Sequence, residues 1–417
     1  MRIVFLNPVG VIGGAERSLL DLLASLRKSH PAWDLHLIAG EPGPIADAAD
    51  SCGISVHVLK LPRELSMLGD AAAGGPAGHG LKKSVLAFRW VRALNKTFGY
   101  LRALRNLLRS LEPSIIHSNG FKMHILAIWA KPSGVPLVWH IHDYVASRPV
   151  MRILMRIHSR GCSAVIANSD SVARDLRGVC GQKLRTHKLW NAVDLAEFSP
   201  EGSQLDLDQL SGLSAPEQPV LRVGLVGTFA RWKGHDIFLR SLAMLPAEIP
   251  VRGYIVGGPL YQTDGSQWRL EDLRQMANKL GLAGRIGFTG FVSRPAEAMR
   301  ALDIVVHAST EPEPFGLVIV EAMACGRPVI TTRWGGASEI TGGDSGALAH
   351  IPGDPSSLAD RIVQLAGNPS LRQRLSLAGR GNAEKRFDRA SLGPACADIY
   401  ESVARTALFS LSSQLAR

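Results

Sequence analysis

Residues 222–234 read RVGLVGTFARWKG. An apolar run ends on Gly227, and a loop carrying Arg231 and Lys233 follows it and closes on Gly234. The run is continuous, not alternating, which suits a strand buried on both faces of a parallel sheet. A glycine loop at such a strand's end is where phosphate groups can approach the backbone. Arg231 and Lys233 would offer positive charge to a departing diphosphate.

The same pattern recurs on both sides. Strands are expected at 252–256, 285–289, 304–307 and 329–332, and earlier at 3–7, 35–39, 115–117, 137–140 and 164–167. Helical-period segments lie between them, so the reading is α/β with right-handed βαβ units. The pattern occurs twice and implies two doubly wound domains. Residues 1–198 are expected to form the first, 199–220 a polar linker with Pro200, Gly202, Gly212, Pro216 and Pro219, and 221–390 the second. Residues 391–417 are expected to be a helix. Ligands of open parallel sheets bind at the carboxyl ends of strands, so the chemistry is sought there.

Four motifs sit at such ends. Gly13-Gly14-Ala15-Glu16 follows the first strand and opens a helix whose free N–H groups could meet a phosphate. Trp139-His140-Ile141-His142-Asp143-Tyr144 ends a strand and offers groups for a metal, acid–base work or substrate hydroxyls. His140 and His142 are expected to point to opposite faces, so that one of them meets the ligand and the two do not share a metal. The third motif is the Arg231–Lys233 loop. The fourth runs from Glu313 through Phe315, Gly316 and Leu317 to Glu321. Here one carboxylate precedes a helix and the other lies about two turns inside it, so they should grip different parts of an extended ligand. That separation disfavours a paired-carboxylate hydrolase.

Together these segments resemble glycosyltransferase family 4, retaining enzymes of the GT-B fold. The glutamate pair Glu313 and Glu321 is the family's signature, and Ile166-Ala167-Asn168-Ser169, Asn191-Ala192-Val193-Asp194, Cys325-Gly326-Arg327-Pro328 and Gly335-Gly336-Ala337-Ser338-Glu339 match in order. The resemblance implies two Rossmann-like domains facing a central cleft, with the C-terminal helix returning to the first domain. It implies that Glu321 holds the donor's ribose, that Glu313 and the N–H groups near Phe315–Leu317 hold the transferred sugar, and that Lys233 neutralises the diphosphate. Gly14 would admit the diphosphate, His142 or alternatively His140 would contact the sugar, and Asp143 and Ser169 would line the cleft. Where many members carry an arginine after the loop glycine, this chain has Thr228, and Arg231 is the expected substitute.

The implied reaction transfers a sugar from a UDP- or GDP-linked donor to a glycan or lipid-linked acceptor, with no metal or other cofactor. The implied setting is bacterial cell-surface polysaccharide or lipopolysaccharide synthesis. The competing readings are a sugar-nucleotide epimerase of the same architecture and a non-catalytic nucleotide-sugar-binding protein.

Charge and composition bound the partners. Net charge is +11, and residues 1–198 hold 25 Lys+Arg against 14 Asp+Glu, so the whole excess falls there. That asymmetry points to an anionic surface. No nucleic-acid motif accompanies it. After the low-complexity stretch 69–80, a basic amphipathic segment runs over 81–109, with Trp90, Leu94, Phe98, Leu101, Leu104 and Leu108 at helical spacing. A break near Gly99 is expected. Such a segment can rest on an anionic membrane, or its later part can pack on the sheet as an ordinary βα helix. The five cysteines have no metal-ligand spacing, and neither a signal peptide nor a membrane-spanning run is read. The expected location is the cytoplasm, at the inner face of the plasma membrane.

Overall fold

The computed structural model describes residues 1–66, 83–259, 267–342 and 346–415. The chain divides into two units, residues 1–191 with 389–417, and residues 192–388. Each is built on one parallel sheet.

The first unit's sheet has seven strands: β1 Arg2–Asn7, β2 Asp34–Ala39, β3 Ser55–Val58, β4 Ile115–Asn119, β5 Leu137–Ile141, β6 Ala164–Ala167 and β7 Thr186–Lys188. Their order is β3-β2-β1-β4-β5-β6-β7. β1 pairs with β2 through Ile3 and Leu35, and with β4 through Ile3 and Ile115. The period of two then sets the core. Val4 and Leu6, Trp139 and Ile141, Val165 and Ala167 are buried in one cluster with Leu104, Leu108 and Met123 from the flanking helices. Each such aliphatic side chain contributes about 1.5–3 kcal/mol when fully removed from water.

The second unit's sheet has six strands: β8 Leu221–Val226, β9 Val251–Val256, β10 Ile286–Gly290, β11 Ile304–His307, β12 Val329–Thr332 and β13 Ala347–His350. Their order is β10-β9-β8-β11-β12-β13. Val223, Leu225, Ile304, Val306 and Ile330 pack with Phe238, Leu242 and Ile362. In both sheets the order reverses beside the first strand, at β1/β4 and at β8/β11. A reversal leaves a crevice at the strands' carboxyl ends, because the loops on either side diverge.

Residues 199–220 do not form a free linker. The short helix Leu207–Ser211 places Asp208, 5% exposed, against the second sheet. Its carboxylate accepts from Arg252 at 2.7 Å, Arg222 at 3.0 Å and the Tyr254 hydroxyl at 2.6 Å. Burial alone would raise the Asp208 carboxyl; these three donors outweigh it and lower it. Arg300 donates to the carbonyls of Glu197, Ser199 and Ser203 and ties the preceding segment to the same unit. Val193 N–H donates to the Phe387 carbonyl at 3.0 Å, so residues from 192 onward belong with the second unit.

The last helix, Leu392–Leu415, belongs to the first unit and packs on the helix Gly14–Ser29. A side chain on Gly393 would lie 2.6 Å from the Ser25 backbone. Its N–H donates to Ser25 Oγ at 2.8 Å, and Ser25 Oγ donates to the Ala390 carbonyl.

The helix Lys83–Leu111 is continuous through Gly99, so the expected break is absent. From Tyr100 onward its apolar side, with Leu104 and Leu108, is buried on the sheet, while Phe98 is exposed. The stretch 69–80 and the side chains of Trp90 and Leu94 lie outside the described residues. Among the described residues no helix is long and apolar enough to cross a membrane.

Candidate functional site

At the β8/β11 reversal, two loops meet. The loop after β8 makes a single tight turn, Arg231–Lys233, ended by Gly234 at φ 73°. A side chain on Gly234 would lie 2.0 Å from the Ala308 carbonyl oxygen, so glycine lets the two loops touch. The loop after β11 carries Ser309 and Glu313 and reaches Gly316 at φ 105°, which opens the helix Leu317–Ala324. Gly336 closes on it from β12, donating to the Glu313 carbonyl at 2.6 Å.

Glu313 is 6% exposed, and one oxygen, Oε2, collects three groups. Lys233 Nζ lies at 2.8 Å, Ser309 Oγ at 2.9 Å and His307 Nε2 at 3.0 Å. Burial would push this carboxyl up, but the Lys233 charge and the His307 and Lys233 hydrogen bonds hold it far below the ordinary range. The carboxylate is therefore ionised and fixed in place. His307 is oriented in turn by Thr331 Oγ1, 2.9 Å from Nδ1. Phe315 is buried edge-on against Phe387 and fixes the loop's far side. Glu321 and Leu317 are half-buried, with Leu317 at the start of the helix and Glu321 in its middle.

The β1/β4 reversal of the first unit is built from neutral groups. Asn119 ends β4, and its amide donates to Asn7 Oδ1 at the end of β1, at 2.7 Å. His142 Nε2 lies 2.6 Å from Asn119 Oδ1 and donates to it. His140 lies behind, its ring tilted by 42° with its centroid 4.0 Å from that of His142, and His117 meets His140 edge-on at 5.1 Å. Tyr400 of the last helix bonds His117 Nδ1 at 2.6 Å. Burial depresses all of these imidazoles, His117 and His142 to about 3, and His140 well below its ordinary value. Both ring nitrogens of His140 are buried without a hydrogen-bond partner.

Several expectations change. His140 and His142 lie on one side with their rings in contact, not on opposite faces. Alternation along a strand puts residues two apart on the same face, and the strand ends at Ile141 between them. Ser169 is fully buried and caps the helix Asp170–Cys180 by accepting from the Val172 N–H at 3.1 Å. Asp143 is ion-paired with Arg148 and receives the Tyr144 N–H. Arg231 is exposed, with its guanidinium 3.9 Å over the Trp268 ring. Thr228 is half-buried in the loop after β8. Gly14 is the first residue of its helix, and open space surrounds the position a side chain would take.

Sequence reading passed over His307, Ser309 and Thr331, which hold Glu313, and Asn7 and Asn119, which hold His142. The signal available was a polar residue closing each apolar strand at Asn7, Asn119 and His307. Among the described residues no group of three or more His, Cys, Asp or Glu is arranged to hold a metal ion.

Residues 12–197 match the family model for Glycosyltransferase Family 4, and residues 221–368 match that for Glycosyl transferases group 1. The chain belongs to this glycosyltransferase family. A D-inositol 3-phosphate glycosyltransferase of Jonesia denitrificans is 30% identical over 232 residues, 54% of this chain and 53% of that protein. The chain thus spans about half the length of that curated relative. The lipopolysaccharide core biosynthesis mannosyltransferase LpsB of Rhizobium meliloti is 29% identical over 302 residues, 67% of this chain and 84% of that protein. The Anabaena protein HepE, solved in complex with UDP-glucose, is 25% identical with a TM-score of 0.76, covering 96% of this chain and 100% of that one. The two parallel-sheet, Rossmann-like units are those of a GT-B glycosyltransferase.

Proposed function

We propose that this glycosyltransferase moves a sugar, with retention of anomeric configuration and without a metal ion, from a nucleotide-sugar donor to a glycan or lipid-linked acceptor. The observation that carries the reading is the buried Glu313 carboxylate, ionised and locked by Lys233 at the β8/β11 reversal. UDP-glucose in the HepE structure favours a UDP-linked donor over a GDP-linked one.

In this reading Glu321 binds the ribose hydroxyls and Glu313 the hydroxyls of the sugar. Lys233 and the N–H groups of Phe315, Gly316 and Leu317 take up charge as the diphosphate departs. Gly14 leaves room for the diphosphate on the first unit. His142, with His140 behind it, presents an uncharged imidazole to the sugar. The glycosidic C–O bond to phosphate breaks as the acceptor oxygen adds to the same face, and the acceptor's proton passes to the departing phosphate oxygen. The protein contributes position and preorganised charge. The acceptor belongs to bacterial surface polysaccharide or lipopolysaccharide, a setting supported by the similarity to LpsB. The enzyme works in the cytoplasm at the membrane's inner face, with the basic 81–109 segment toward anionic lipid.

Calorimetric titration with UDP, GDP and ADP tests the reading. Micromolar binding of one nucleotide, lost in Glu321→Ala, is the expected result. No binding of any nucleotide, with or without detergent and lipid, would sink it. Turnover that persists in EDTA and a product of unchanged anomeric configuration are expected of the same preparation.

A further inference from the structure

A hollow of about 320 Å³ opens at the amino ends of β5, β6 and β7. His142 follows the carboxyl end of β5, so the hollow lies at the opposite end of the sheet from the crevice. Lys131, Arg160 and Arg185 line it together with Ser163, and its lining holds no acidic residue. The three cations come from three separate connections. Lys131 stands in the loop before β5, Arg160 in the turn Ser159–Gly161 before β6, and Arg185 directly before β7. Parallel strands bring every such connection back to the same end of the sheet, which gathers charges that lie far apart in sequence.

Two of the cations are fixed in advance. Arg185 donates to Ser402 Oγ at 3.0 Å and to Thr406 Oγ1 at 3.2 Å, hydroxyls one turn apart on the last helix. These neutral partners hold the guanidinium fork and leave its charge uncompensated. Lys131 Nζ donates to the Val135 carbonyl at 3.2 Å, and burial lowers its ammonium. Ser163 Oγ accepts from the Leu137 N–H at 3.2 Å, which leaves its hydroxyl proton to donate elsewhere. Three like charges around one hollow repel one another until an anion enters. Charge-assisted bonds from such donors suit phosphate oxygens. Val135 and Val403 add an apolar wall, and the volume is that of a small-molecule site rather than of a bare ion.

We propose that this hollow is a second ligand site, separate from the crevices at the strands' carboxyl ends, and that it takes a small soluble phosphate monoester. The phosphate meets Lys131, Arg160, Arg185 and Ser163, and the body of the ester lies against Val135 and Val403. Because Arg185 is braced from the last helix, the bound ester ties that helix to the amino ends of β5, β6 and β7. A ligand held only by the folded chain raises its melting temperature. The site does not rest on the transfer chemistry.

Calorimetric titration of the full chain with glucose 6-phosphate, inorganic phosphate and glucose tests it. Glucose 6-phosphate should bind in the submillimolar range and raise the melting temperature, inorganic phosphate should bind several-fold more weakly, and glucose should not bind. Arg160→Ala should weaken binding of the ester by roughly tenfold, and Thr406→Val by about threefold through the lost brace on Arg185. Both positions are exposed, so the melting temperature without ligand should not move. Lys233→Met with Glu313→Gln, which discharges the second unit's crevice, should leave binding of the ester intact. No binding, equal binding of ester and inorganic phosphate, or binding indifferent to Arg160→Ala would overturn the proposal. Loss of binding in the Lys233 and Glu313 double variant would also overturn it, by placing the phosphate in the second unit. So would phosphatidylglycerol vesicles that need Arg160 for binding while the soluble ester does not bind, since the hollow would then belong to a lipid headgroup.

Discussion

The β8/β11 reversal of the second unit holds an ion pair, Lys233 on Glu313, while the β1/β4 reversal of the first holds amides and imidazoles, Asn7, Asn119, His142 and His140. The topology is the same, and so is the placement at strand ends. The difference lies in how each polar set tolerates burial. Glu313 stays charged because three groups converge on one oxygen. The histidines stay neutral because, among the described residues, no carboxylate is paired with them, and burial then excludes their protons. One crevice supplies fixed charge, the other uncharged polar contact. On the proposed reading, the charged crevice of the second unit would meet the leaving group, and the sugar through Glu313, while the neutral crevice of the first would meet the sugar alone.

The comparison breaks most severely at Lys233. Lys233→Ala leaves a carboxylate buried without its cation, which costs about 3–5 kcal/mol. Loss of the charge opposite a departing diphosphate should lower turnover by roughly 10²–10³. Chemical denaturation and a donor-consumption assay would measure both. Lys233→Met combined with Glu313→Gln should recover much of the stability and none of the turnover. Recovery of turnover would mean that the pair is architectural.

The neutral crevice has its own signature in acid. His117 and His142 have folded values near 3 against an ordinary 6.5, and burial also lowers His140 and His124, the latter on the helix Phe121–Ala130 with its Nδ1 2.8 Å from Ser118 Oγ. A depressed histidine binds its proton more readily when unfolded. Its stabilising effect is complete above about pH 6.5 and is lost as pH falls toward 3, at roughly 1.4 kcal/mol per pH unit for each group. Glu313 is depressed as a carboxylate, so its contribution survives until far lower pH, and the second unit has fewer strongly buried, depressed imidazoles, His235 near 3 and His350 lowered, against the four of the first. Unfolding followed by hydrogen exchange between pH 6.5 and 4 should therefore open the first unit before the second. Simultaneous opening, or earlier opening of the second, would contradict the assignment.

Asn119→Asp sharpens the contrast by making the first crevice resemble the second. The new carboxylate would face His142 Nε2 at the present 2.6 Å and favour the imidazolium. The His142 titration, read by NMR, should rise by more than one pH unit, and turnover should fall by roughly tenfold if the sugar needs a neutral ring. An unmoved titration would mean that burial, not the absent acid, governs this site.

Much of this was legible in the residues. Continuous apolar runs placed the central strands of both sheets. The strands passed over, β3, β7 and β13, all lie at sheet edges. β3 is half-exposed, β7 has three residues, and β13 reads Ala-Leu-Ala-His, so none shows a buried β-branched run. Glu313, Glu321 and Lys233 stood out through spacing and charge. Their supporting shell did not, because His307 and Thr331 meet only when β11 and β12 pair. Asp208 was hidden for the same reason: its partners, Arg222, Arg252 and Tyr254, arrive from two strands of the sheet.

The smallest effect is expected at Arg231, where the charged crevice departs from its family. Thr228 stands where many members have an arginine, and Arg231 is the nearest cation besides Lys233 in the loop. Its guanidinium rests over Trp268 and is exposed to solvent. Water screens a charge in that position, and leaving the indole face costs about 0.5–1 kcal/mol. Its help to a leaving diphosphate is therefore limited to about 1 kcal/mol, a factor of roughly five in rate. Arg231→Ala should lower kcat/KM by that factor with little change in melting temperature. Thr228→Arg in the same background should restore it, since the loop then regains a cation next to Gly227. A variant with full activity would assign the leaving-group charge to Lys233 and the helix N–H groups alone. A loss of a hundredfold would mean that Arg231 swings off Trp268 and closes on the donor, giving the second crevice two catalytic cations where the first has none.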